Sequence, residues 1–228
     1  MDYTFQFGIL MNYLPQFVSG FWLTLLLSFI GIFGGFALGV CCAVTSTLPW
    51  KIPRALVRCY VEAMRNTPLL VQVFIIFFGL PNIGVRLSPL TSALIALVLN
   101  NGGYIAEIVR SGIQSTHRSQ VEAAESLGLT YGQTLRLVVL PPALEKVFTP
   151  IVSQSVLLML STSLVAAIGV EDLTGAAMIA SSETFRTMEI YFVIAIAYVA
   201  LNFLFRAVLN FAGLLIFTRS RRRLLGRI

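Results

Sequence analysis

The stretch Glu122–Pro141, with the sequence EAAESLGLTYGQTLRLVVLP, is the one long polar segment in an otherwise apolar chain. Its first six residues are rich in Ala, Glu and Leu, which favour helix. Gly128 can adopt the left-handed conformation that ends a helix, and Thr130 and Gln133 have the spacing of a capping box. The stretch therefore predicts two short helices, the second over Tyr131–Val139, joined by a turn at Gly128.

The stretch closes on Leu140-Pro141-Pro142. Proline lacks an amide donor and disfavours the helical conformation for the residue before it. The second helix is therefore predicted to end here, and the chain to turn in a new direction. An ordinary polar loop with some helix would contain the same elements, so the local pattern leaves that alternative open.

The composition excludes a soluble domain. Of the 228 residues, 57% are hydrophobic and 11% are charged, whereas a soluble domain has about a quarter charged residues. The net charge of +6 does not indicate nucleic-acid binding, because the Lys and Arg residues lie between apolar segments and at the C-terminus. The three cysteines have no metal-ligand spacing. We expect one all-α membrane domain over residues 1–228, surrounded by lipid, with no metal site and no nucleic-acid partner.

Apolar segments long enough to cross the ~30 Å hydrocarbon core of a bilayer recur along the chain. The five predicted spans are approximately Phe21–Val44, Leu56–Leu80, Leu90–Arg110, Val147–Val170 and Glu189–Phe217. Pro68 removes a backbone donor from the second span, so a bend is expected there. The glycines of the first span predict close helix packing. Between the last two spans, Glu171–Met188 is predicted to be an acidic loop.

Basic residues fix the direction of the spans, because they are enriched on the cytoplasmic side of membrane proteins. With the N-terminus outside, the inner side holds Lys51, Arg54, Arg58, Arg65, Arg110, Arg118, Arg136, Lys146 and the five arginines of the C-terminal tail. The outer side then holds only Arg86 and Arg186, beside Asp2, Glu171, Asp172, Glu183 and Glu189. This bias predicts an outer N-terminus and a cytoplasmic C-terminus, and it places the loop of residues 111–146 in the cytoplasm.

The spacing within this loop closely resembles the EAA motif of bacterial ABC importer permeases, the cytoplasmic segment that docks onto the ATP-hydrolysing subunit. The matching residues are Glu122, Ala123, Ala124, Gly128, Val138, Leu140 and Pro141. Arg65–Gln72, with the sequence RNTPLLVQ, is similar to the RGTPLLVQ stretch of polar amino acid permeases, the branch of histidine, glutamine, glutamate and arginine importers. Further similar stretches are Gly103–Ser115, Thr162–Leu173 and Phe185–Tyr191, so the resemblance covers about residues 21–217.

The resemblance implies a type I ABC importer permease in the bacterial cytoplasmic (inner) membrane, which translocates a polar amino acid by alternating access. It also implies a second permease chain, identical or different, two copies of an ATP-binding subunit, and an extracytoplasmic amino acid-binding protein. The residues add that neither of the two lysines follows a glycine, so a phosphate-binding Gly-Lys motif is missing. We therefore expect no enzyme activity, catalytic residue or cofactor in this chain, with ATP and Mg²⁺ on the partner ATPase subunit.

Two sets of site residues are expected. The motif assigns coupling to the ATPase subunit to Glu122, Ala123, Ala124, Gly128, Leu140 and Pro141. Polar residues within the spans are expected to line the substrate path, because amides and hydroxyls there can bind an ammonium or carboxylate group. These residues are Gln72, Asn100, Tyr104, Ser161, Thr162 and Ser163. The alternative is that Ser and Thr bond to their own helix, while Asn and Tyr join neighbouring helices.

Four charged residues near the span ends receive separate interpretations. Glu107 and Arg110 are three residues apart, which favours a structural ion pair or a loop anchor over a substrate site. Glu171 and Asp172 are expected at the outer mouth, where they could dock a binding protein or guide a cationic solute; the alternative is that both are ordinary solvated loop acids.

The chain departs from the family pattern at two places. Asn66 replaces the usual glycine, and Leu160-Ser161 stands where many members have Lys-Asp, so specificity does not transfer from those members. Two rival functions remain open at this point. An ion-coupled secondary transporter predicts uptake driven by an ion gradient without an ATPase, and a membrane scaffold predicts that the polar span residues are replaceable.

Overall fold

All regular secondary structure in residues 4–216, the part of the chain that our computed structural model describes, is helical, as the sequence predicts. A 3₁₀ helix, Phe7–Tyr13, leads into the first long helix. The α-helices are α1 (Leu14–Thr45), α2 (Lys51–Asn66), α3 (Leu69–Phe74), α4 (Pro89–Gln114), α5 (Arg118–Ser126), α6 (Tyr131–Gln133), α7 (Leu140–Lys146), α8 (Phe148–Ser161), α9 (Leu173–Thr184) and α10 (Thr187–Ile216). Short π-helical or 3₁₀ segments extend three of them: Ile75–Gly79 and Leu80–Ile83 after α3, Thr134–Val139 after α6, and Thr162–Ile168 after α8.

The helical stretches that are long and apolar enough to cross a membrane are Phe7–Thr45, Pro89–Gln114, Phe148–Ile168 and Thr187–Leu215. The fifth candidate is the bent pair of α2 and α3, if its two halves count as one span. The predicted multi-pass architecture is thus confirmed, with five spans when the bent pair is included. Asp2, Phe217 and the five tail arginines lie outside the described residues.

The second predicted span is two helices that meet at an angle of 111°, not one bent helix. Helix α2 ends at Asn66, and both Thr67 and Pro68 are extended, with φ/ψ of −119°/140° and −62°/139°. Pro68 has no amide hydrogen, and its ring disfavours the helical conformation for Thr67. The expected bend is therefore a complete break in the helix.

Close contact between α1 and α4 forms the centre of the bundle. Gly31, Gly35 and Gly39 are buried on the side of α1 that faces α4 and α8. A Cβ atom at Gly35 would lie 2.6 Å from Cβ of Asn101, so a larger residue cannot fit without movement. The packing role predicted for these glycines is confirmed. The apolar side chains buried around this contact include Leu27, Val73, Leu97 and Leu158.

The segment predicted to be an acidic loop between the last two spans contains helix α9 instead. Asp172 caps this helix, since its Oδ1 accepts a hydrogen bond from the amide of Gly175 at 2.9 Å. Along α9, Ala176, Ala177 and Ala180 are buried in a cluster with residues of α1 and α10. Small, helix-favouring residues between the caps thus form a packed helix, so the predicted loop is wrong for this segment.

Asp172 is fully buried, so the expectation that it docks a binding protein or guides a solute is wrong. Tyr198 of α10 donates to its Oδ2 at 3.3 Å, and the amide of Leu173 donates to Thr24 Oγ1 of α1 at 3.0 Å. Burial raises the pKa of the Asp172 carboxyl above its ordinary value, although hydrogen bonds from Gly175 and Tyr198 oppose the rise. Asp172 therefore joins three helices, whereas the neighbouring acid, at position 171, is exposed.

Candidate functional site

The polar stretch that the sequence singles out forms a helical loop over residues 118–146, which we call the EAA segment. Helix α5 ends at Ser126, and Gly128 has the predicted left-handed conformation with φ +79°. The amide of Leu129 donates to the carbonyl oxygen of Ala124 at 3.1 Å, which closes the helix end. A Cβ atom at Gly128 would meet nothing within 4 Å, so the backbone conformation, not crowding, explains this glycine.

The predicted capping box begins the second half of the EAA segment. Thr130 Oγ1 accepts a hydrogen bond from the amide of Gln133 at 3.4 Å, and Gln133 Oε1 accepts one from the amide of Thr130 at 2.8 Å. These reciprocal bonds fix the entry of the chain into α6. The hydroxyl of Tyr131 donates to Thr47 Oγ1 at 2.7 Å, which fastens this turn to the end of α1.

The chain does not leave the helix at Leu140-Pro141-Pro142, contrary to the prediction. Thr134–Val139 is π-helical and runs directly into α7, which continues to Lys146. The two prolines occupy the first turn of α7, where missing amide donors are tolerated. A π-helix pairs backbone groups five residues apart, and an α-helix pairs groups four residues apart. The prolines therefore lie where the hydrogen-bonding pattern changes from the π-helix to α7.

The first half of the EAA segment is largely exposed. Glu122, Ala123 and Gly128 are exposed, and Leu127 is an apolar side chain with 81% of its surface exposed. Ala124 is buried and faces inward. Four of the residues on or beside the sequence motif are therefore accessible to a second protein, and one of them offers an apolar contact.

Helix α7 anchors the other half of the EAA segment to α4. Ala143 is buried there, and a Cβ atom at Gly112 would lie 2.9 Å from its carbonyl oxygen. Leu140 and Pro141, which end the sequence motif, are the first residues of this anchored helix. A displacement of the exposed half would therefore reach α4 through α7, and it would reach α8 directly along the chain.

Two of the predicted substrate-path residues, Gln72 and Asn100, form a hydrogen-bonded pair at the break between α2 and α3, and we call them the amide pair. Asn100 Nδ2 donates to Gln72 Oε1 at 3.1 Å. Gln72 Nε2 donates to the carbonyl oxygens of Met64 and Thr67 at 3.0 and 3.1 Å. Both side chains are buried, and they satisfy carbonyl groups that the end of α2 leaves without helical partners.

Tyr104, about one turn along α4 from the amide pair, lies beside Arg65 at the same break. Arg65 Cζ is 5.9 Å from the centre of the tyrosine ring, and the hydroxyl is 3.5 Å from the Arg65 carbonyl oxygen. Further along, Arg110 Nε donates to Glu107 Oε2 at 2.9 Å, which confirms the predicted ion pair. Arg65 Nη1 lies 3.8 Å from the same Glu107 oxygen, so one carboxylate faces two guanidinium groups.

The predicted cluster Ser161-Thr162-Ser163 uses its hydroxyl hydrogens within its own helix. Each hydroxyl donates to a carbonyl oxygen three or four residues earlier, at 2.8 Å in all three cases. This is the alternative that the sequence left open for Ser and Thr. The hydroxyl oxygens still have lone pairs for an incoming donor, so a role in the substrate path stays a prediction.

Two side chains that join helices were not predicted. Asn101 Nδ2 donates to the carbonyl oxygen of Gly31 at 3.2 Å. The hydroxyl of Tyr60 donates to the carbonyl oxygen of Leu99 at 2.6 Å. Neighbouring helical residues point about 100° apart, so the Asn100-Asn101 dipeptide could have indicated contacts with two different helices. No sequence pattern distinguishes Tyr60.

Comparison with known proteins gives matches over most of the chain. The model of a family described as "Binding-protein-dependent transport system inner membrane component" matches residues 35–213. The "Probable glutamine ABC transporter permease protein GlnM" of Bacillus subtilis is 37% identical over 195 residues, which are 86% of this chain and 90% of the relative. The "Glutamine transport system permease protein GlnP" of Escherichia coli is 32% identical over 208 residues, or 90% and 95% of the two chains.

Solved structures agree in fold. The chain in "Crystal structure of an amino acid ABC transporter with histidines" matches with a TM-score of 0.84 and 33% identity, over 92% of this chain and 99% of that chain. A chain of the inward-facing MetNI methionine ABC transporter matches with a TM-score of 0.74 over 90% and 97% of the two chains. Its identity is 20%, so this second likeness shows the fold alone.

Proposed function

This chain belongs to the family of binding-protein-dependent transport system inner membrane components, and from that premise we propose that it translocates a polar amino acid. It is the permease subunit of an ATP-driven ABC importer, as the sequence resemblance predicted. The relatives named for glutamine and the similar amino acid transporter support the substrate class. Leu160-Ser161 lacks the charged pair of many members, so we take no specificity from the members that have it.

The EAA segment is the proposed contact with the ATP-binding subunit. The observation that supports this best is its division into an exposed half, with Glu122, Ala123, Leu127 and Gly128, and a half anchored on α4. Leu127 would insert into the partner, and the left-handed turn at Gly128, closed by the hydrogen bond from Leu129 to Ala124, would set its position. Motion of two ATPase subunits, driven by ATP and Mg²⁺ bound there, would then pass through Leu140 and Pro141 into α4 and α8.

The break between α2 and α3 is the proposed centre of the substrate path. The amide pair satisfies the carbonyl oxygens at this break with uncharged groups, and the hydroxyl of Tyr104 makes only a 3.5 Å contact with a carbonyl oxygen. This hydroxyl therefore has capacity for a substrate carboxylate or amide. The partly exposed hydroxyl oxygens of Ser161 and Ser163 would accept from the substrate ammonium group, whereas the hydroxyl of Thr162 is fully buried and would support the helix.

Three further parts of the proposal concern the assembly. A second permease chain, identical or different, would complete the path, and an extracytoplasmic binding protein would deliver the amino acid. The N-terminus would lie outside and the C-terminus in the cytoplasm. Helix α10 has exposed aromatic side chains, among them Phe192, Phe203 and Phe211, which would face lipid or the second chain.

Co-purification tests the coupling proposal first. The tagged chain is extracted from its native membranes in a mild detergent, and ATPase activity is measured in the eluate. Gly128→Ala forces a Cβ atom onto a left-handed residue of the EAA segment. Gly84→Ala is the matched control, because Gly84 has φ +87°, equally open surroundings and a position before α4 instead of after it. Each change costs roughly 1 kcal/mol of local backbone strain.

We expect the native chain and Gly84→Ala to retain an ATP-hydrolysing partner. The Gly128→Ala variant should no longer bind this partner, or the partner should hydrolyse ATP without driving amino acid uptake. If no ATPase accompanies an intact, folded native chain, the coupling proposal is wrong. Uptake that follows an ion gradient would then favour the ion-coupled carrier.

Uptake of labelled glutamine by the reconstituted complex tests the substrate path. Tyr104→Phe removes the hydroxyl at the break and should reduce ATP-dependent uptake. Tyr191→Phe is the control, since Tyr191 lies exposed on α10. Equal uptake by both variants and by a Ser161→Ala variant would place the path elsewhere in the chain.

A further inference from the structure

A cavity of about 610 Å³ lies between α1, α2 and α4, at the end of the bundle where the EAA segment begins. Thr47, whose Oγ1 accepts the Tyr131 hydroxyl, belongs to its wall. The charged residues of this wall are four arginines and two glutamates: Arg54, Arg58, Arg65, Arg110, Glu62 and Glu107. A second cavity of about 240 Å³ is lined by Lys51, Arg54, Ala55 and Arg58. Arg54 and Arg58 thus stand between two open spaces.

The cavity walls have an excess of positive charge near the start of α2. Glu107 is paired with Arg110 and lies 3.8 Å from Arg65, so its one negative charge leaves one of these two positive charges unbalanced. Arg54 donates to the carbonyl oxygen of Leu48 at 2.6 Å, which leaves its charge unbalanced. Within residues 4–216, Arg58 makes no hydrogen bond or ion pair. Of the acidic wall residues, Glu62 alone is then left to balance the positive charges of Arg54, Arg58 and, in the second cavity, Lys51.

The backbone of α2 adds to this positive potential. Its first turn contains no acidic residue, and no side chain caps it. The amide groups and the helix dipole at such an end favour an anion. The end of the helix, the three basic side chains and the two cavities therefore point to one kind of ligand, a compact anion with several acceptor oxygens.

A different face of α2 is apolar and exposed. Ile52 and Leu56, one turn apart, are 75% and 67% exposed, and Trp50 precedes them with 65% exposure. In a membrane protein such a face suits acyl chains, and tryptophan is typical of the level of the lipid headgroups. The cationic and apolar faces of one amphipathic helix together match an amphiphile with an anionic head.

We propose that Lys51, Arg54 and Arg58 form a binding site for a phosphate group, supplied by an anionic phospholipid such as phosphatidylglycerol or by a soluble phosphate. Guanidinium groups bind phosphate through paired, charge-assisted hydrogen bonds. An occupied site would brace the turn between α1 and α2 beside the point where Tyr131 attaches the EAA segment. The proposal depends on the contacts of this chain alone and not on what it transports.

Native mass spectrometry of the purified full-length chain tests the site. The chain is delipidated in a neutral detergent and titrated separately with phosphatidylglycerol and with zwitterionic phosphatidylcholine. Arg58→Gln is the main variant, because that side chain bonds to no other described residue and its loss should leave the fold intact. Arg86→Gln, at the exposed loop before α4, is the control. A parallel arm measures the thermal stability of the lipid-free chain with and without inorganic phosphate.

We expect Arg58→Gln to weaken the binding of one phosphatidylglycerol by about tenfold, as the loss of one charge-assisted hydrogen bond predicts. Arg86→Gln should bind like the native chain, and phosphatidylcholine should show no such site. Stabilisation by phosphate of the native chain, but not of Arg58→Gln, would identify a soluble ligand at the same site. Identical responses of the native chain and Arg58→Gln in both arms would overturn the proposal.

Discussion

The EAA segment and the break between α2 and α3 are both interruptions between helices, but they are stabilised over very different distances. At the EAA segment, Thr130 and Gln133 bond to each other across three residues, and the side chains are exposed. At the break, Gln72 bonds eight residues back to Met64 and accepts from Asn100, 28 residues ahead, in a buried site. A local, solvated interruption can yield without unfolding the bundle, whereas the buried break belongs to its core.

Gln72→Leu should have the largest effect of the changes considered. It leaves the carbonyl groups of Met64 and Thr67 without their buried donor, which should lower the free energy of unfolding by about 2–3 kcal/mol. Reversible unfolding in detergent, followed by circular dichroism, measures this loss. The change in volume is small, so the effect reports the lost hydrogen bonds.

Gln133→Leu is the matched control, since it removes the same amide group from the exposed capping box. We expect a loss of about 0.5 kcal/mol or less, because water replaces the lost bonds. If the two glutamine variants lose equal stability, the contrast between the buried break and the solvated loop is wrong.

Asn100→Leu should come second, with a loss of about 1–2 kcal/mol. Asn100 donates to Gln72, but the carbonyl oxygens at the end of α2 keep their main donor in this variant. The double variant with Gln72→Leu should therefore be less destabilised than the sum of the two single variants. Strict additivity in that thermodynamic cycle would contradict the amide pair as a unit.

The contrast between local and long-range hydrogen bonds also explains which features the sequence could predict. The left-handed Gly128 and the capping box are decided within a few residues, and both were predicted correctly. Pro68 indicated an interruption but not its 111° angle, which depends on the packing of α2 and α3 against α4. The hydrogen bonds of Gln72 were not predictable, because no local pattern names a partner 28 residues away.

Two wrong predictions have the same physical origin. Local rules end a helix at Pro141, yet the packing of α7 on α4 and the π-helical turn before it keep the chain helical. An acidic residue beside an apolar span is predicted to be exposed. Asp172 is nevertheless buried, because Tyr198 and the amide of Gly175 in the first turn of α9 donate hydrogen bonds to its carboxylate oxygens. In both cases a tertiary contact overrides a correct local preference.

Thr130→Ala should have a smaller effect that stays within the EAA segment. Loss of the cap costs about 1 kcal/mol and should speed amide hydrogen exchange over Tyr131–Val139 by about fivefold. The melting temperature of the bundle should hardly change, since this segment can open locally. Ser88→Ala, which removes the cap of α4 at the Thr91 amide, is the control and should leave exchange in the EAA segment unchanged.

Arg118→Ala should have the smallest effect. Arg118 Nε lies 2.9 Å from Glu122 Oε1, but the two side chains are 91% and 59% exposed, so this ion pair contributes at most about 0.5 kcal/mol. The melting temperature and its dependence on salt should therefore match those of the native chain.

Glu122 is also proposed to contact the ATPase, so its carboxylate has two possible roles. The coupling between ATP hydrolysis and uptake distinguishes them. A fall in coupling with Glu122→Ala but not with Arg118→Ala would mean that the partner uses this carboxylate. An equal fall in both would mean that the ion pair orients the exposed half of the segment. The conformation of the EAA segment would then depend on this side-chain pair as well as on its backbone hydrogen bonds.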